Sequence, residues 1–221
     1  YRRPYVALKL AVSLDGRIAV RKGERTFLTG DEANREVHRL RSGFDAVLVG
    51  GETACIDDPL LTVRHGFDPR IQPTRVVADP RAKLSPDASM LGDGSEAPVV
   101  VFATEAAPAE RVEGLGDVGA RVEIVPQGGG GANLGKMLER CWHLGLRSVF
   151  CEGGARLATA LAREGLAQRF YVFQAPVTLG SQGVPAFEGE SSTPEGLGWS
   201  SRGEPMQFGP DVLITYDYQG G

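Results

Sequence analysis

Residues 45–64 read DAVLVGGETACIDDPLLTVR and gather more chemistry than a plain connection needs. An apolar run over residues 46–49 ends in Gly50 and Gly51, and Thr53, Asp57, Asp58, Thr62 and Arg64 follow closely. Such a run is a strand buried on both faces, and glycines past its carboxyl end let the chain turn sharply and a ligand approach. The hydroxyls, carboxylates and guanidinium either serve a ligand or form a solvated loop, since loops are polar by default. Lys9 is the single charge inside YVALKLAV, residues 5–12. A charge amid apolar residues costs free energy unless it is paired or its head reaches water or a cleft, so Lys9 either snorkels or faces a site. A third unit is the strand over residues 148–151, then Glu152-Gly153-Gly154, then a helix over residues 155–162. The amino end of such a helix turns backbone N–H groups and a positive dipole end outward, which suits a phosphate or pyrophosphate. Glu152 would repel that anion, so it holds a cation, moves a proton, or merely caps or pairs.

The elements around these residues follow from pattern. Further strands are expected over residues 75–78, 99–102, 122–125, 170–175 and 212–216, each a short apolar or aromatic run bounded by turn residues. Residues 17–20 can return as an edge segment after the Ser13-Leu14-Asp15-Gly16 turn. A helix begins near Thr29 or Asp31, carries Ala33, Val37 and Leu40 on one side, and places Arg39 and Arg41 near its carboxyl end, where cations are favoured anyway. A second, short helix fits residues 107–113 and a third residues 134–144, whose stripe of Leu134, Met137, Leu138, Cys141 and Trp142 is core. Residues 45–64 beyond the strand, residues 83–97 and residues 176–210 read as loops. The four glycines at 128–131 lack the Lys-Ser/Thr of a phosphate loop and read as a linker. Alternating strands and helices imply an α/β fold with a mostly parallel sheet covered on both faces.

With 221 residues the chain fits one large α/β domain spanning residues 1–221. A net charge of −4 argues against a nucleic-acid partner. Cys55, Cys141 and Cys151 form neither a disulfide framework nor a Cys-x-x-Cys pair, which favours a reducing cytoplasm and no metal site. No stretch approaches the roughly 18 apolar residues of a membrane span.

Several strings in one order then carry a resemblance over essentially the whole chain: KLAVSLDGRIA from Lys9, Thr29-Gly30 before VHRLR, DAVLVG, DDPLLTVR, RVVAD from Arg75, EGGARLATAL from Glu152, and APVTLG. Together they resemble the reductase domain of the bifunctional riboflavin-biosynthesis deaminase/reductase. The resemblance implies a three-layer dihydrofolate-reductase-like fold, a homodimer, and NADPH-dependent reduction of 5-amino-6-(5-phosphoribosylamino)uracil at the sugar C1′. It places Lys9 and Glu152 as catalytic groups near the reacting sugar, and Arg25, Arg41, Leu61 and Arg64 on substrate positions. Ala11, Phe27, Thr53 and Asp57 fall on cofactor positions, and Gly153, Gly154, Ala155, Arg156 and Leu157, on to Ala160, on the pyrophosphate turn and helix. The two arginines at 41 and 64 suit the substrate phosphate, because a planar guanidinium can grip it bidentately.

Three residues depart from the family pattern. Arg25 stands where many members carry a small serine, Phe27 replaces a common tryptophan, and Pro80 sits where a polar cofactor contact is frequent. Residues 1–221 contain no His-x-Glu or Pro-Cys-x-x-Cys deaminase motif, so another chain or a removed segment would supply that step. Other readings are a same-fold reductase of the diaminopyrimidinone before deamination, of dihydrofolate or of a side-pathway pyrimidine, and a silent nucleotide-binding protein. Lys9 and Glu152 speak against the last. Arg81, just past a strand end, is either a partner for the cofactor 2′-phosphate or a solvated surface residue.

Overall fold

The computed structural model describes residues 2–129, 131–188 and 198–219. In chain order the first elements are β1 Tyr5–Val12, β2 Arg17–Ala19, α1 Asp31–Arg41, β3 Ala46–Gly50, α2 Gly51–Asp57, β4 Thr74–Ala78 and α3 Ser89–Gly92. Then come β5 Val99–Ala103, α4 Ala109–Asp117, β6 Arg121–Ile124, β7 Gln127–Gly128, β8 Gly131–Ala132, α5 Leu134–His143 and β9 Ser148–Cys151. The chain closes with α6 Ala155–Arg163, β10 Arg169–Gln174, β11 Val184–Pro185, β12 Trp199–Ser201, β13 Met206–Phe208 and β14 Asp211–Tyr218. It divides into two compact units, one of Tyr1–Tyr5 with His38–Phe150, the other of Val6–Val37 with Cys151–Gly221.

In the first unit the strands run in the order β9-β3-β4-β5-β6, and β3, β4, β5 and β6 run parallel to one another. Successive residues of a strand point to opposite faces, so burial of Ala46, Val47, Leu48 and Val49 alike means that β3 is covered on both. Burying each of these valine or leucine side chains contributes about 1.5–3 kcal/mol. Val47 and Val49 pack in a core with Val77, Val101, Leu61, Leu84, Met90 and Leu115. Helix α5 buries Leu134, Met137, Leu138 and Cys141, the expected stripe without Trp142, and Asn133 caps it by accepting from the Lys136 N–H at 3.0 Å. Asp45 enters β3 by accepting from the backbone N–H groups of Arg147 and Ser148, which ties the start of β3 to the start of β9.

In the second unit the order is β1-β10-β14-β12, with β13 also on β14. β1 and β10 are parallel, Lys9 opposite Tyr171 and Ala11 opposite Phe173, while β10 and β14 are antiparallel. The segment Arg17–Ala19 does return as an edge, pairing antiparallel with β11. Asp15 closes the preceding turn onto a chain segment 164 residues away: it accepts from Ser13 Oγ at 2.6 Å and from the N–H groups of Leu179 and Gly180 at 3.0 and 2.7 Å. The Ser13 hydroxyl, then the two N–H groups, hold its carboxyl down to about 2 from an ordinary 3.8. A carboxyl depressed in the folded state stabilises above its unfolded pKa and stops doing so as pH falls through the folded one. The melting temperature should therefore drop between about pH 4 and about pH 2, and an acid titration of Asp15→Asn should be flatter there. Equal slopes in the two proteins would remove Asp15 from the acid response.

The mixed α/β character and mostly parallel pairing agree with expectation, and six details correct it. Past Gly50 the chain makes no loop but the helix α2, which ends at Asp58 in the left-handed region, φ 41°. Gly51 leaves no room for a ligand where its side chain would be, since an added Cβ would lie 2.8 Å from the Asp79 Cβ. Residues 83–97 contain the single turn α3, and α4 starts and ends later than residues 107–113. The glycine run is a hairpin, with Gln127 opposite Ala132 and Gly128 opposite Gly131. Residues 176–210 hold β11, β12 and β13, and residues 189–197 of that stretch lie outside the described residues.

Burial pushes the thiols of Cys141 and Cys151 up to about 12, whereas Cys55 is exposed, its thiol raised by partial burial and by the Asp79 charge. Native protein at pH 8 should yield one cysteine to a thiol reagent and all three in denaturant. Rapid loss of a second thiol under native conditions would contradict the burial. Among the described residues, no helix is long and apolar enough to cross a membrane.

Candidate functional site

Each unit holds its own set of the expected residues. In the first, Thr53 and Asp57 lie four apart on α2, so both face one side of the helix, and both are half-buried. The chain leaves α2 through a stretch of unusual backbone: Asp58, Leu61 and His65 have φ of 41°, 54° and 60° without being glycine. Left-handed backbone costs a non-glycine residue roughly 1–2 kcal/mol, so its surroundings must impose it. They do. The Asp58 carboxylate accepts from the Ser89 N–H at 2.8 Å, and Gln72 clamps Val63 by accepting from its N–H and donating to its carbonyl. Leu61 is 2 % exposed and belongs to the core.

Arg41 and Arg64 converge on Thr62. The buried Arg41 donates from Nη1 to the Thr62 carbonyl at 2.9 Å, and Arg64 donates from Nη1 to Thr62 Oγ1 at 3.1 Å. The Arg64 backbone N–H donates to Nδ1 of His38 at 2.9 Å. Neither Thr62 nor His38 stood among the site residues expected from sequence. Thr62 was visible only as one more hydroxyl, and the partner of His38 lies 26 positions away and is a backbone group, which no spacing reveals. Pro80 contributes its carbonyl, which accepts from both the N–H and the Oγ1 of the buried Thr104.

In the second unit Lys9 and Ala11 are two apart on β1 and therefore share a face, the two half-buried positions among buried neighbours. The Lys9 ammonium stands 5.7 Å from the Phe173 ring centroid. At that distance the ring face attracts the ammonium. Glu152, also half-buried, follows β9 directly. Gly153 and Gly154 then lead into α6. Gly154 is its N-cap, with no side-chain cap bond, and the first turn holds no acid. An added Cβ on Gly153 would lie 2.8 Å from Leu157 Cδ2, so the turn folds tightly back on its own helix and a larger residue there would have to displace the Leu157 side chain. Of the helix residues, Ala155 is buried, Leu157 half-buried, and Arg156 exposed, its Nε 3.9 Å from Glu188 Oε2.

This donor set fits a dinucleotide pyrophosphate: helix N–H groups uncapped by a side chain, no carboxylate in the first turn, and a positive dipole end. Arg25 and Phe27 are both exposed, Phe27 by 77 %, and the guanidinium carbon of Arg25 lies 4.5 Å from the Phe27 ring centroid. They pair with each other on the glycine-broken segment after β2.

A family model described as the RibD C-terminal domain matches residues 4–205. A reductase of Methanothermobacter thermautotrophicus, named for 2,5-diamino-6-ribosylamino-4(3H)-pyrimidinone 5′-phosphate, is 34% identical over 223 residues, which cover 99% of this chain and all of that one. Among solved structures, RibD of Acinetobacter baumannii superposes with a TM-score of 0.84 at 29% identity, over 98% of this chain and 58% of its own. Dihydrofolate reductase of Enterococcus faecalis, at 11% identity, superposes with a TM-score of 0.50 over 98% of this chain, which makes the fold dihydrofolate-reductase-like.

Proposed function

Since the chain belongs to the RibD C-terminal domain family of riboflavin-biosynthetic reductases, we propose that it reduces a 6-ribosylaminopyrimidine 5′-phosphate at the sugar C1′ and draws its hydride from NADPH. The substrate expected from sequence is 5-amino-6-(5-phosphoribosylamino)uracil. A second reading, the diamino compound before deamination, is favoured by the name of the relative that matches over its whole length.

The observation that carries the proposal is the half-buried strand charge, Lys9, in one unit with Glu152 and a helix start without a side-chain cap. The cofactor is a nicotinamide dinucleotide, and when bound it supplies the hydride. The remaining work belongs to the chain. The first-turn N–H groups of Ala155, Arg156 and Leu157 hold the pyrophosphate, and Thr53 and Asp57 offer a hydroxyl and a carboxylate to the cofactor side. Arg41 and Arg64 hold the substrate phosphate, and Leu61, whose side chain is sealed in the core, shapes the turn that carries Arg64. Opening the furanose breaks C1′–O4′, moves a proton onto O4′ and leaves C1′ doubly bonded to the exocyclic nitrogen. Lys9 donates at O4′, and Glu152 handles the proton on that nitrogen. Hydride at C1′ and one proton complete the ribityl product. We read residues 1–221 as one reductase domain that acts as a homodimer.

A panel of the two ribosylamino-pyrimidine phosphates and dihydrofolate, with NADPH and NADH consumption as readout, tests the proposal. Turnover of either pyrimidine supports it and ranks the two readings. Binding of NADPH without turnover of either would sink it.

A further inference from the structure

Helix α1 grips the segment after α2 through two side chains three apart, His38 and Arg41, which therefore lie on one helical side. Arg41 reaches the Thr62 carbonyl, and His38, 6 % exposed in the last turn, takes the Arg64 N–H on Nδ1. A ring nitrogen that accepts carries no proton, so His38 is held as the tautomer protonated on Nε2. The His38 ring also lies 4.6 Å, centroid to centroid, from that of His65, the left-handed residue just after Arg64. Arg64 is thus fixed at both ends, its backbone by His38 and its guanidinium by Thr62 Oγ1.

We propose that His38 is a positioning residue: through Nδ1 and its ring it sets the backbone of Arg64 so that the guanidinium meets the substrate phosphate. This rests on the reading of Arg64 as a phosphate-binding residue. A guanidinium on an exposed turn loses affinity when its anchor is free to wander, because the order must then be imposed on binding. The left-handed backbone at Leu61 and His65 gives the segment other conformations to relax into once the anchor is gone.

Four single variants and one double variant decide it. His38→Phe keeps a ring against His65 and removes the acceptor, while His38→Asn keeps an acceptor bonded to Cγ, where Nδ1 stands. His38→Phe is expected to raise KM for the phosphorylated substrate about tenfold, as loss of one hydrogen-bond partner predicts, with kcat and NADPH affinity little changed. His38→Asn is expected to stay close to the wild type. Should His38→Phe not fold, His38→Gln, with its acceptor one bond further out, takes its place with the same expected rise. In the fourth variant, Arg64→Ala, the backbone N–H persists, so a purely structural role for His38 would cost as much there as in the wild type. A positioning role predicts instead that adding His38→Phe to Arg64→Ala raises KM no further. Independent effects that multiply, or an unchanged KM in His38→Phe beside a raised one in Arg64→Ala, would overturn the inference and leave the Arg64 reading standing. An unchanged KM in Arg64→Ala would overturn both.

Discussion

Replacing Lys9 with alanine is expected to lower kcat by about two to four orders of magnitude, the range of a lost general acid, while the dissociation constant for NADPH changes by no more than about threefold. Glu152→Gln should behave alike. The asymmetry follows from placement. Lys9 sits on the one face of β1 that is not sealed, beside Ala11, and its neighbours Leu8 and Leu10 point to the other face and stay buried. Truncation at Cβ therefore removes an ammonium and its stem without opening the core, and β1 keeps its pairing with β10. Glu152→Gln is nearly isosteric and changes only charge and proton affinity. Single-turnover rates with saturating substrate and a fluorescence titration of the cofactor separate the two quantities. If cofactor affinity falls as far as turnover, both residues serve binding and the assignment of proton transfer is wrong.

The second large effect concerns Arg64. Its removal should raise KM for the phosphorylated substrate by about 10- to 100-fold, since hydrogen bonds to a charged partner contribute roughly 1.5–3 kcal/mol. The kcat should move much less, because the phosphate is remote from C1′. The dephosphorylated substrate supplies the control: wild type and Arg64→Ala should handle it equally. A variant that loses the same factor on both compounds would show that Arg64 maintains the turn and does not grip the phosphate.

How much of this was legible in the sequence depended on the range of the interactions involved. Buried strands such as β3 and β5 declare themselves, because a strand covered on both faces needs consecutive apolar residues, and residues 46–49 and 99–102 supply them. Helix α2 did not. GETACID has no apolar stripe and buries only Gly51 and Ala54, so local pattern gave no periodicity to detect. The hairpin at β7 and β8 escaped for a related reason. Four glycines look flexible locally, and it is long-range pairing of Gln127 with Ala132 and the close passage of Gly128 along Asn133 that order the described part of the run. The candidate site drew attention through its residue types: Lys9 as a misplaced charge, Gly153-Gly154 as a helix entry. The resemblance alone supplied Leu61, whose left-handed backbone and burial no reading of PLL would predict. His38 stayed hidden because it answers a backbone N–H.

The division of the chain has a consequence for how the protein comes into being. One unit is complete once residue 150 has been made, but the other combines Val6–Val37 with Cys151–Gly221. Synthesis runs from the amino terminus, so β1, which carries Lys9, is made before its parallel partner β10 at Arg169–Gln174 and must wait for it. During that interval an apolar strand stands unpaired with β10 on the nascent chain, and the lysine at its centre interrupts what would otherwise be an unbroken sticky run. The lysine to which we assign a catalytic role is thus also expected to oppose premature association of the growing polypeptide.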